Sequence, residues 1–241
     1  MNSKNVLITG ATSGIGLALC HKYTAKGDKV IACGRNTDLL AKMDSQVAQT
    51  CLFDVNNKEQ IASAADEVHS LDILILNAGD CRYIEDVNRF DGQLFSDIIT
   101  SNLAALGNQL QYFLPKVKAG GQVVFISSSA TIIPFPKSEA YGASKAGVDY
   151  LANSLRLDLL AKNIGVTLVH PGFVRTPLTD KNNFAMPFLI SSEQAASKIV
   201  SGVEARKSYL QFPKRLTYIL RLFSFLPAVI WQKIIIRKQQ A

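Results

Sequence analysis

Three residues whose types and spacing could move a proton occur in the middle of the chain: Ser128, Tyr141 and Lys145. The tyrosine and the lysine are four residues apart, just over one helical turn, so both side chains can project from one face of a helix. A free tyrosine has a pKa of roughly 10 and is a poor acid or base near neutral pH. A neighbouring ammonium group stabilises the phenolate, so we expect Lys145 to lower the pKa of Tyr141 and allow proton transfer.

A glycine-rich loop near the N-terminus gives this pair its context. The loop reads TGATSGIG over residues 9–16, follows the apolar run 6–8 and precedes a helical pattern. Strand, glycine-rich turn and helix together typically hold a dinucleotide pyrophosphate on the helix N-terminus, although a turn that merely caps a helix is the alternative. The Gly-Lys-Ser/Thr sequence of a P-loop is absent. The expected cofactor contacts are Gly10, Thr12, Ser13, Gly14, Ile15 and Gly16.

Further motifs make the chain resemble the short-chain dehydrogenase/reductase family over roughly residues 4–205. Residues 77–79 read NAG after an apolar run and are similar to the family's N-A-G motif beside the cofactor. Residues 171–176 read PGFVRT and are similar to its P-G-x-V-x-T segment on the nicotinamide side. The additional cofactor contacts that the resemblance implies are Asn77, Ala78, Gly79, Pro171, Val174, Thr176, Tyr141 and Lys145.

The same resemblance implies a catalytic tetrad of Asn102, Ser128, Tyr141 and Lys145. Tyr141 is expected to be the general acid in reduction and the general base in oxidation. The resemblance assigns Lys145 to the pKa of Tyr141 and to the nicotinamide ribose, and Ser128 to the substrate oxygen. Asn102 is expected to hold a water that links Lys145 to solvent. The thirteen-residue spacing to Tyr141 selects the middle serine of the run 127–129.

The end of the second predicted strand indicates which dinucleotide is preferred. Gly34 stands where the family's NAD enzymes carry an aspartate, and Arg35 follows it. A guanidinium suits a ribose 2′-phosphate, so the sequence predicts a preference for NADP(H) over NAD(H), with a solvated loop cation as the alternative. Asp54 and Val55 resemble the family's contact to the adenine ring, whereas a helix-capping aspartate is the competing interpretation.

Apolar runs alternate with helical patterns along most of the chain. This alternation predicts an α/β fold, a single Rossmann-like, doubly wound parallel sheet with helices on both faces and a C-terminal amphipathic helical segment. The ligand is then expected at the carboxyl ends of the strands. Predicted strands are 5–9, 29–33, 49–53, 72–77, 121–127 and 165–170. Predicted helices are 15–26, 37–46, 58–69, 91–116, 139–162 and 192–204.

Length and composition fit one such domain. The chain has 241 residues, of which 48% are hydrophobic, enough for a sizeable core. No signal peptide is visible before the first strand, and the four cysteines and three histidines lack metal-ligand spacing. We therefore expect reduced thiols, no metal site and a cytoplasmic protein.

The C-terminal segment, residues 206–241, is distinct from the catalytic domain expected over residues 1–205. It holds eight basic residues and no Asp or Glu. Residues 1–204 hold eighteen basic and nineteen acidic residues, so the formal net charge of +7 comes from this segment. Leu216, Ile219, Leu220, Phe223 and Leu226 recur at helical spacing, with Thr217, Arg221 and Ser224 on the other face.

A basic amphipathic segment with Trp and Phe is typical of an in-plane anchor on an anionic membrane, here at its inner face. A lid over the protein's own substrate cleft and a contact with a partner subunit are the alternatives. Binding of nucleic acid is not expected, because no base-stacking module accompanies the basic residues. The family's usual final strand is missing except for a short remnant at 208–211, and a homodimer or higher homo-oligomer is expected from the family.

The predicted substrate loop, roughly residues 173–191, is rich in apolar side chains. It favours a hydrophobic or lipid-like carbonyl or secondary alcohol, although some of these residues could simply close the core. Two other classes stay open on the same fold: a non-catalytic dinucleotide sensor and a membrane-associated scaffold. An intact tetrad argues against the sensor, which has no need for a matched proton donor.

Overall fold

The computed structural model describes residues 3–182 and 184–240. Met1, Asn2 and Ala241, at the outer ends of the two expected domains, and Asn183, in the expected substrate loop, lie outside the described residues. The strands are β1 (Asn5–Thr9), β2 (Lys29–Gly34), β3 (Gln49–Leu52), β4 (Leu71–Leu76), β5 (Val117–Ile126), β6 (Gly165–Pro171) and β7 (Tyr209–Phe212). The helices are α1 (Gly14–Ala25), α2 (Thr37–Ala41), α3 (Lys58–Asp66), α4 (Gly92–Ile99), α5 (Ala105–Phe113), α6 (Glu139–Leu159), α7 (Ser192–Glu204), α8 (Lys214–Ser224) and α9 (Ala228–Gln240).

All strands of the described chain pair in parallel in one sheet, in the order β3-β2-β1-β4-β5-β6-β7. Parallel strands are covered on both faces, which is why their sequences are continuous apolar runs. Val6, Leu7 and Ile8 in β1 are all fully buried although neighbouring side chains point to opposite faces. The predicted α/β fold is therefore confirmed.

Two apolar layers sandwich the sheet. One contains Leu19 of α1 and Ile199 of α7, and the other contains Ile61 of α3, Phe113 of α5 and Val148 of α6. The chain order reverses beside β1, so the carboxyl ends of β1 and β4 border a crevice at the switch point. This crevice is where the predicted functional residues are expected to meet.

Apart from shifts of up to four residues at other element ends, three predicted elements differ from the structure. The helix expected over 37–46 ends at Ala41, and the chain continues in turns. The helix expected over 91–116 is interrupted by a π-helical turn at Thr100–Ala104, between α4 and α5. The short remnant expected at 208–211 is the parallel edge strand β7, so the segment outside the sheet begins at Pro213.

Helices α8 and α9 form that final segment. Leu216 and Leu220 of α8 are buried against Ile133, as their spacing suggests. The two predicted faces are nevertheless exchanged in part: Thr217 is fully buried, whereas Ile219 is exposed. Burial of Thr217 is tolerated because its hydroxyl donates to backbone carbonyls one turn earlier. None of the helices in the described ranges has the length and apolar character needed to cross a membrane.

Candidate active site

The glycine-rich loop between β1 and α1 is held in a conformation that only glycine adopts easily. Gly10 has a φ of +65° and Gly14 a φ of +53°. A Cβ atom on Gly10 would lie 2.9 Å from the Cα of Ala78, and one on Gly14 would lie 2.9 Å from Cγ2 of Thr176. The loop is thus packed between the two other segments that the sequence assigns to the cofactor.

Asn77, which follows β4, fixes this loop with its side chain. Its Nδ2 donates to the carbonyl oxygens of Thr9 and Gly10, at 3.0 and 3.2 Å. The backbone amides of Asn77 and Ala78 donate in turn to the Thr9 hydroxyl, at 3.1 and 3.2 Å. A Cβ atom on Gly16 would overlap the Gly10 carbonyl, so Gly16 allows the first turn of α1 to approach the loop.

A cleft of about 580 Å³ runs along the carboxyl ends of the strands. Its wall includes the start of α1, where free backbone amides favour a phosphate. The glycine-rich loop lines this cleft together with the start of α1, so the residues present fit a dinucleotide. The predicted cofactor residues on this wall are Gly10, Thr12, Ser13, Gly14, Ile15, Arg35, Val55, Asn77, Ala78, Gly79, Tyr141, Lys145, Pro171, Val174 and Thr176.

Arg35 lies at the end of the cleft after β2, with 76% of its side chain exposed. Its Nη1 is 3.4 Å from Oδ2 of Asp54. The Asp54 carboxylate also accepts the backbone N–H of Asn56 at 2.8 Å and is not part of the cleft wall. Val55 therefore borders the cleft, and Asp54 borders Arg35.

Asn102 is buried on the π-helical turn between α4 and α5. Its Oδ1 accepts the backbone N–H of Asp80 at 2.7 Å, and its Nδ2 donates to the Asp80 carbonyl at 2.8 Å. Nδ2 also lies 3.0 Å from Oγ of Ser144, on the helix that carries Tyr141 and Lys145. Asn102 lies behind the cleft wall and ties the chain after Gly79 to α6.

Lys145 projects from α6 into the interior at the end of β5. Its Nζ donates to the Ile126 carbonyl at 2.9 Å and lies 5.9 Å from the centre of the Tyr141 ring. Burial disfavours the ammonium ion and lowers the pKa of Lys145 to about 8. The amine is therefore still largely protonated at neutral pH, and its charge is held beside Gly79 on the cleft wall.

The pKa of Tyr141 has the opposite direction to the one the sequence predicts. Burial raises it well above its ordinary value, and the neighbouring Cys81 adds to the increase. A hydrogen bond with Ser128 opposes the increase without reversing it. The prediction of a lowered pKa is wrong for this arrangement, because burial is the largest influence on Tyr141 and it disfavours the phenolate.

Two neighbouring serines of the run 127–129 make different contacts. Ser127 is buried at the cleft and donates to the carboxylate of Asp149, one turn after Lys145 on α6. Ser128 lies on the cleft wall, contacts Tyr141, and accepts the backbone N–H of Ala130 at 3.1 Å. The geometry therefore places the middle serine, rather than Ser127, beside the tyrosine.

Comparison with known proteins agrees with this geometry. The family model described as short chain dehydrogenase matches residues 4–187, more than half of the chain. The chain belongs to the short-chain dehydrogenase family. It is accordingly an NAD(P)-dependent oxidoreductase with a Rossmann-like fold.

A relative from Haemophilus influenzae, named a probable NADP-dependent dehydrogenase, is 31% identical and covers 85% of this chain and 83% of its own. A short-chain dehydrogenase from Burkholderia cenocepacia, crystallised with NADP, has a TM-score of 0.86 at 22% identity over 97% of this chain and 98% of its own. A family member from Burkholderia phymatum, crystallised with NAD, has a TM-score of 0.82 at 21% identity over 92% of both chains. The two structures share the fold of this dehydrogenase.

Several residues near the tyrosine of this dehydrogenase were not found from the sequence. Cys81 and Tyr83 hydrogen-bond each other beside Tyr141, and each adds to the burial of the site. Arg82 lines the cleft and is paired with Asp80 at 2.9 Å. Asp80, Cys81, Arg82 and Tyr83 directly follow the N-A-G motif. Their closeness to Gly79 in the sequence was the signal that could have identified them.

Proposed function

We propose that this short-chain dehydrogenase transfers a hydride between NADP(H) and the carbonyl or secondary alcohol group of an apolar substrate. One observation carries the proposal: Ser128, Tyr141 and Lys145 meet on the wall of the same cleft as the glycine-rich loop. A proton donor and a dinucleotide cradle in one cleft are the two parts that carbonyl reduction requires.

Tyr141 is the proposed proton donor in reduction and the proton acceptor in oxidation. Its raised pKa keeps the phenol protonated at physiological pH, so that it is ready to donate to a developing alkoxide, which is a stronger base than phenolate. Ser128 holds the substrate oxygen by a hydrogen bond near the phenol. The protonated tyrosine favours the reduction direction, because oxidation needs a base at the same position.

The other two tetrad members support this proton transfer. The Lys145 ammonium group is held by the Ile126 carbonyl at the nicotinamide side, where it would bind the ribose and stabilise negative charge on the phenol. Asn102 fixes the segment after Gly79 to α6 and is proposed to hold a water between Lys145 and solvent. When bound, the dinucleotide supplies the hydride.

The preference for NADP(H) rests on Arg35. No acidic side chain takes the position of Gly34, and the ion pair of Arg35 with Asp54 is long and exposed. Exposed pairs of this kind contribute about 0–1 kcal/mol, so the guanidinium is free to turn towards a 2′-phosphate. The relative named as NADP-dependent and the NADP-bound structure agree with this preference, whereas the NAD-bound structure shows that the fold itself does not decide it.

An aromatic cluster next to the tyrosine supports the apolar substrate. Phe184, in the loop after β6, packs edge-on against Tyr83 and Phe173, with ring centres 5.6 and 6.1 Å apart. Tyr83 in turn lies near Tyr141. A ligand entering beside Tyr141 would meet aromatic surface, which favours a hydrophobic carbonyl compound over a highly charged one.

The remaining proposals concern partners and place of action. We expect a homodimer or higher homo-oligomer by analogy with the family, and a cytoplasmic enzyme that binds the inner face of an anionic membrane. Residues 1–205 are proposed to be the catalytic domain, extended by β7, and the segment from Pro213 onwards is proposed to make the membrane contact.

The proton-transfer proposal is tested by Tyr141→Phe. We expect turnover of an apolar ketone to fall at least about a hundredfold, because general acid catalysis of this kind contributes 10²–10⁴-fold, while NADPH binding measured by fluorescence titration is retained. Tyr150→Phe is the matched control, since Tyr150 lies on the outer face of the same helix. Full activity in Tyr141→Phe would refute the assignment, and wild-type binding of NADPH without turnover of any carbonyl compound would favour the sensor.

The cofactor preference is tested by comparing kcat/KM for NADPH and NADH. We expect the wild-type enzyme to favour NADPH and Arg35→Leu to lose about tenfold of that preference, because charge-assisted hydrogen bonds contribute roughly 1.5–3 kcal/mol. Arg89→Leu, at an exposed arginine outside the cleft wall, should change neither value. Equal kcat/KM values for the two dinucleotides in the wild-type enzyme would contradict the proposal.

A further inference from the structure

The two C-terminal helices turn a continuous series of large apolar side chains towards solvent. Phe225 is 85% exposed and Leu222 is 65% exposed, although both are among the most hydrophobic residue types. Single exposed apolar residues are normal on a protein surface, but a contiguous set marks an interaction site. We name this set the outward face; its members are Tyr218, Ile219, Leu222, Phe225, Leu226, Val229, Ile230 and Ile236.

The outward face is framed by positive charge. The side chains of Lys214, Arg215, Lys233 and Arg237 are exposed on the same two helices, whereas Arg221 turns inward over the Tyr209 ring. No Asp or Glu occurs anywhere from residue 205 to the end of the sequence, so none of these cations has an acidic neighbour within the segment. Apolar and basic side chains therefore share one surface without acidic compensation.

The inward side of the helix pair already packs against the rest of the protein. The outward face is therefore not the side of the helices that covers the core. Trp231 of α9 donates from Nε1 to the Pro134 carbonyl at 2.8 Å. Its ring packs against Phe135 and Phe223, with centres 5.7 and 5.5 Å apart. Together with buried Leu220, these contacts hold α8 and α9 with the outward face towards solvent.

We propose that the outward face is a docking surface for an anionic lipid bilayer. Apolar side chains would enter the boundary between headgroups and acyl chains, while the basic side chains contact anionic headgroups. A second copy of the same face would bring like charges together, which disfavours a self-complementary contact. Binding of nucleic acid to the basic side chains would leave Phe225 and Leu222 exposed to water. The two helices have 11 and 13 residues and are too short to span the bilayer, so they would lie on its surface.

The proposed docking surface and the proposed substrate side lie on opposite sides of the α8–α9 pair. The inference about the substrate in this paragraph rests on the proposed function. The residues that α8 and α9 cover, Ile133 to Phe135, directly follow Ser128 along the chain, and Phe173 belongs to the same apolar cluster. A bilayer held by the outward face would therefore be separated from the loop after Ser128 by the helix pair alone. An amphiphilic carbonyl compound taken up from the bilayer is the substrate class that this placement favours.

The direct test is sedimentation of the full-length protein with lipid vesicles, which needs no enzyme activity. Vesicles of phosphatidylcholine alone are compared with vesicles of phosphatidylcholine and phosphatidylglycerol in equal parts. We expect binding to the anionic vesicles only, and release at about 1 M salt, where the Debye length falls to roughly 3 Å. Reduction of a water-soluble ketone is measured in parallel, so that failure of docking and failure of the oxidoreductase proposal can be told apart.

Two matched pairs of variants connect the binding to the outward face. Leu222→Ser is expected to weaken vesicle binding about tenfold, since the apolar burial it removes is worth roughly 1.5–3 kcal/mol at full depth. Leu52→Ser, at a leucine that is 54% exposed on the opposite edge strand β3, should leave vesicle binding unchanged. Lys233→Gln should weaken binding about fivefold, whereas Lys58→Gln should not, because a basic residue near an anionic surface contributes about 1 kcal/mol.

Three results would overturn the proposal. The first is that no vesicles sediment the protein. The second is that neutral vesicles bind as well as anionic ones, which would remove the role of the basic residues. The third is that Leu222→Ser changes the oligomeric state in analytical ultracentrifugation without lipid, which would make the outward face a subunit contact.

Discussion

At the residue scale, the chemistry of the site is set by burial more than by the neighbouring charge that the sequence suggests. Burial moves the pKa of Lys145 down and that of Tyr141 up, and both shifts disfavour the charged form. The spacing of Ser128, Tyr141 and Lys145 was sufficient to predict that they meet, because two of them share one helix face. The direction of the Tyr141 shift could not be predicted, because it follows from the burial of the phenol, which the spacing of these residues does not reveal.

The buried amine predicts a pH-dependent stability that Lys145→Met should remove. Below pH 8 the lysine is protonated in the folded and the unfolded protein; between about pH 8 and the unfolded value of 10.5, only the unfolded chain holds the proton. Raising the pH through this window therefore increases the contribution of Lys145 to the free energy of unfolding, by about 3 kcal/mol.

This linkage is measured by urea unfolding of the wild type and Lys145→Met at both ends of the window. The difference in the free energy of unfolding between the two proteins should change by the predicted amount. Lys58→Met, at an exposed lysine, serves as the control and should show a constant difference. A constant difference for Lys145→Met as well would show that the amine titrates as if it were in water.

At the element scale, apolar runs predict the buried strands well, because a parallel strand is covered on both faces. The sequence predicts one uninterrupted helix over 91–116, whereas the structure interrupts it with a π-helical turn. Its π-helical turn carries Asn102, whose side chain bonds to Asp80 on another segment, and such a tertiary contact leaves no periodic signal. The exchange of Thr217 and Ile219 across α8 has the same origin, since hydrophobicity alone did not reveal which face the domain would cover.

The contact between α9 and the loop after Ser128 makes a prediction for the only tryptophan of the chain. Trp231→Phe keeps an aromatic ring against Phe135 but removes the hydrogen bond to the Pro134 carbonyl. We expect a loss of about 1 kcal/mol in stability and a lower kcat for ketone reduction, because the loop that carries Ser128 is held less firmly. Trp231→Ala should be worse in both, and unchanged kcat in both variants would show that α9 does not position the loop.

At the scale of the whole molecule, the proposed cofactor contacts and the proposed substrate contacts lie at the ends of different strands of the sheet. The glycine-rich loop and Arg35 lie at the ends of β1 and β2, whereas Ser128 and the cover provided by α8 lie beyond β5 and β7. The sequence indicated this division through the order of its motifs. It indicated only a short remnant of the edge strand β7, and it left cover of the proposed substrate side as an alternative to membrane contact.

A matched pair of buried leucines tests this division. Leu220 of α8 and Leu40 of α2 are both buried, one under the substrate side and the other near Gly34 at the cofactor end. Either leucine-to-alanine change is expected to lower the free energy of unfolding by about 2–5 kcal/mol, since each leaves a cavity. Their functional effects should nevertheless differ.

Leu220→Ala should reduce kcat/KM for the ketone and leave the Kd of NADPH unchanged, because α8 supports the loop after Ser128. Leu40→Ala should raise the Kd of NADPH and leave kcat for the ketone at saturating NADPH unchanged, because α2 begins two residues after Arg35 and Leu40 packs near Gly34. Fluorescence titration and steady-state kinetics on both variants give the comparison. The same pattern of defects in both would mean that the two ends of the sheet do not act separately, since a general loss of stability spreads to both sites alike.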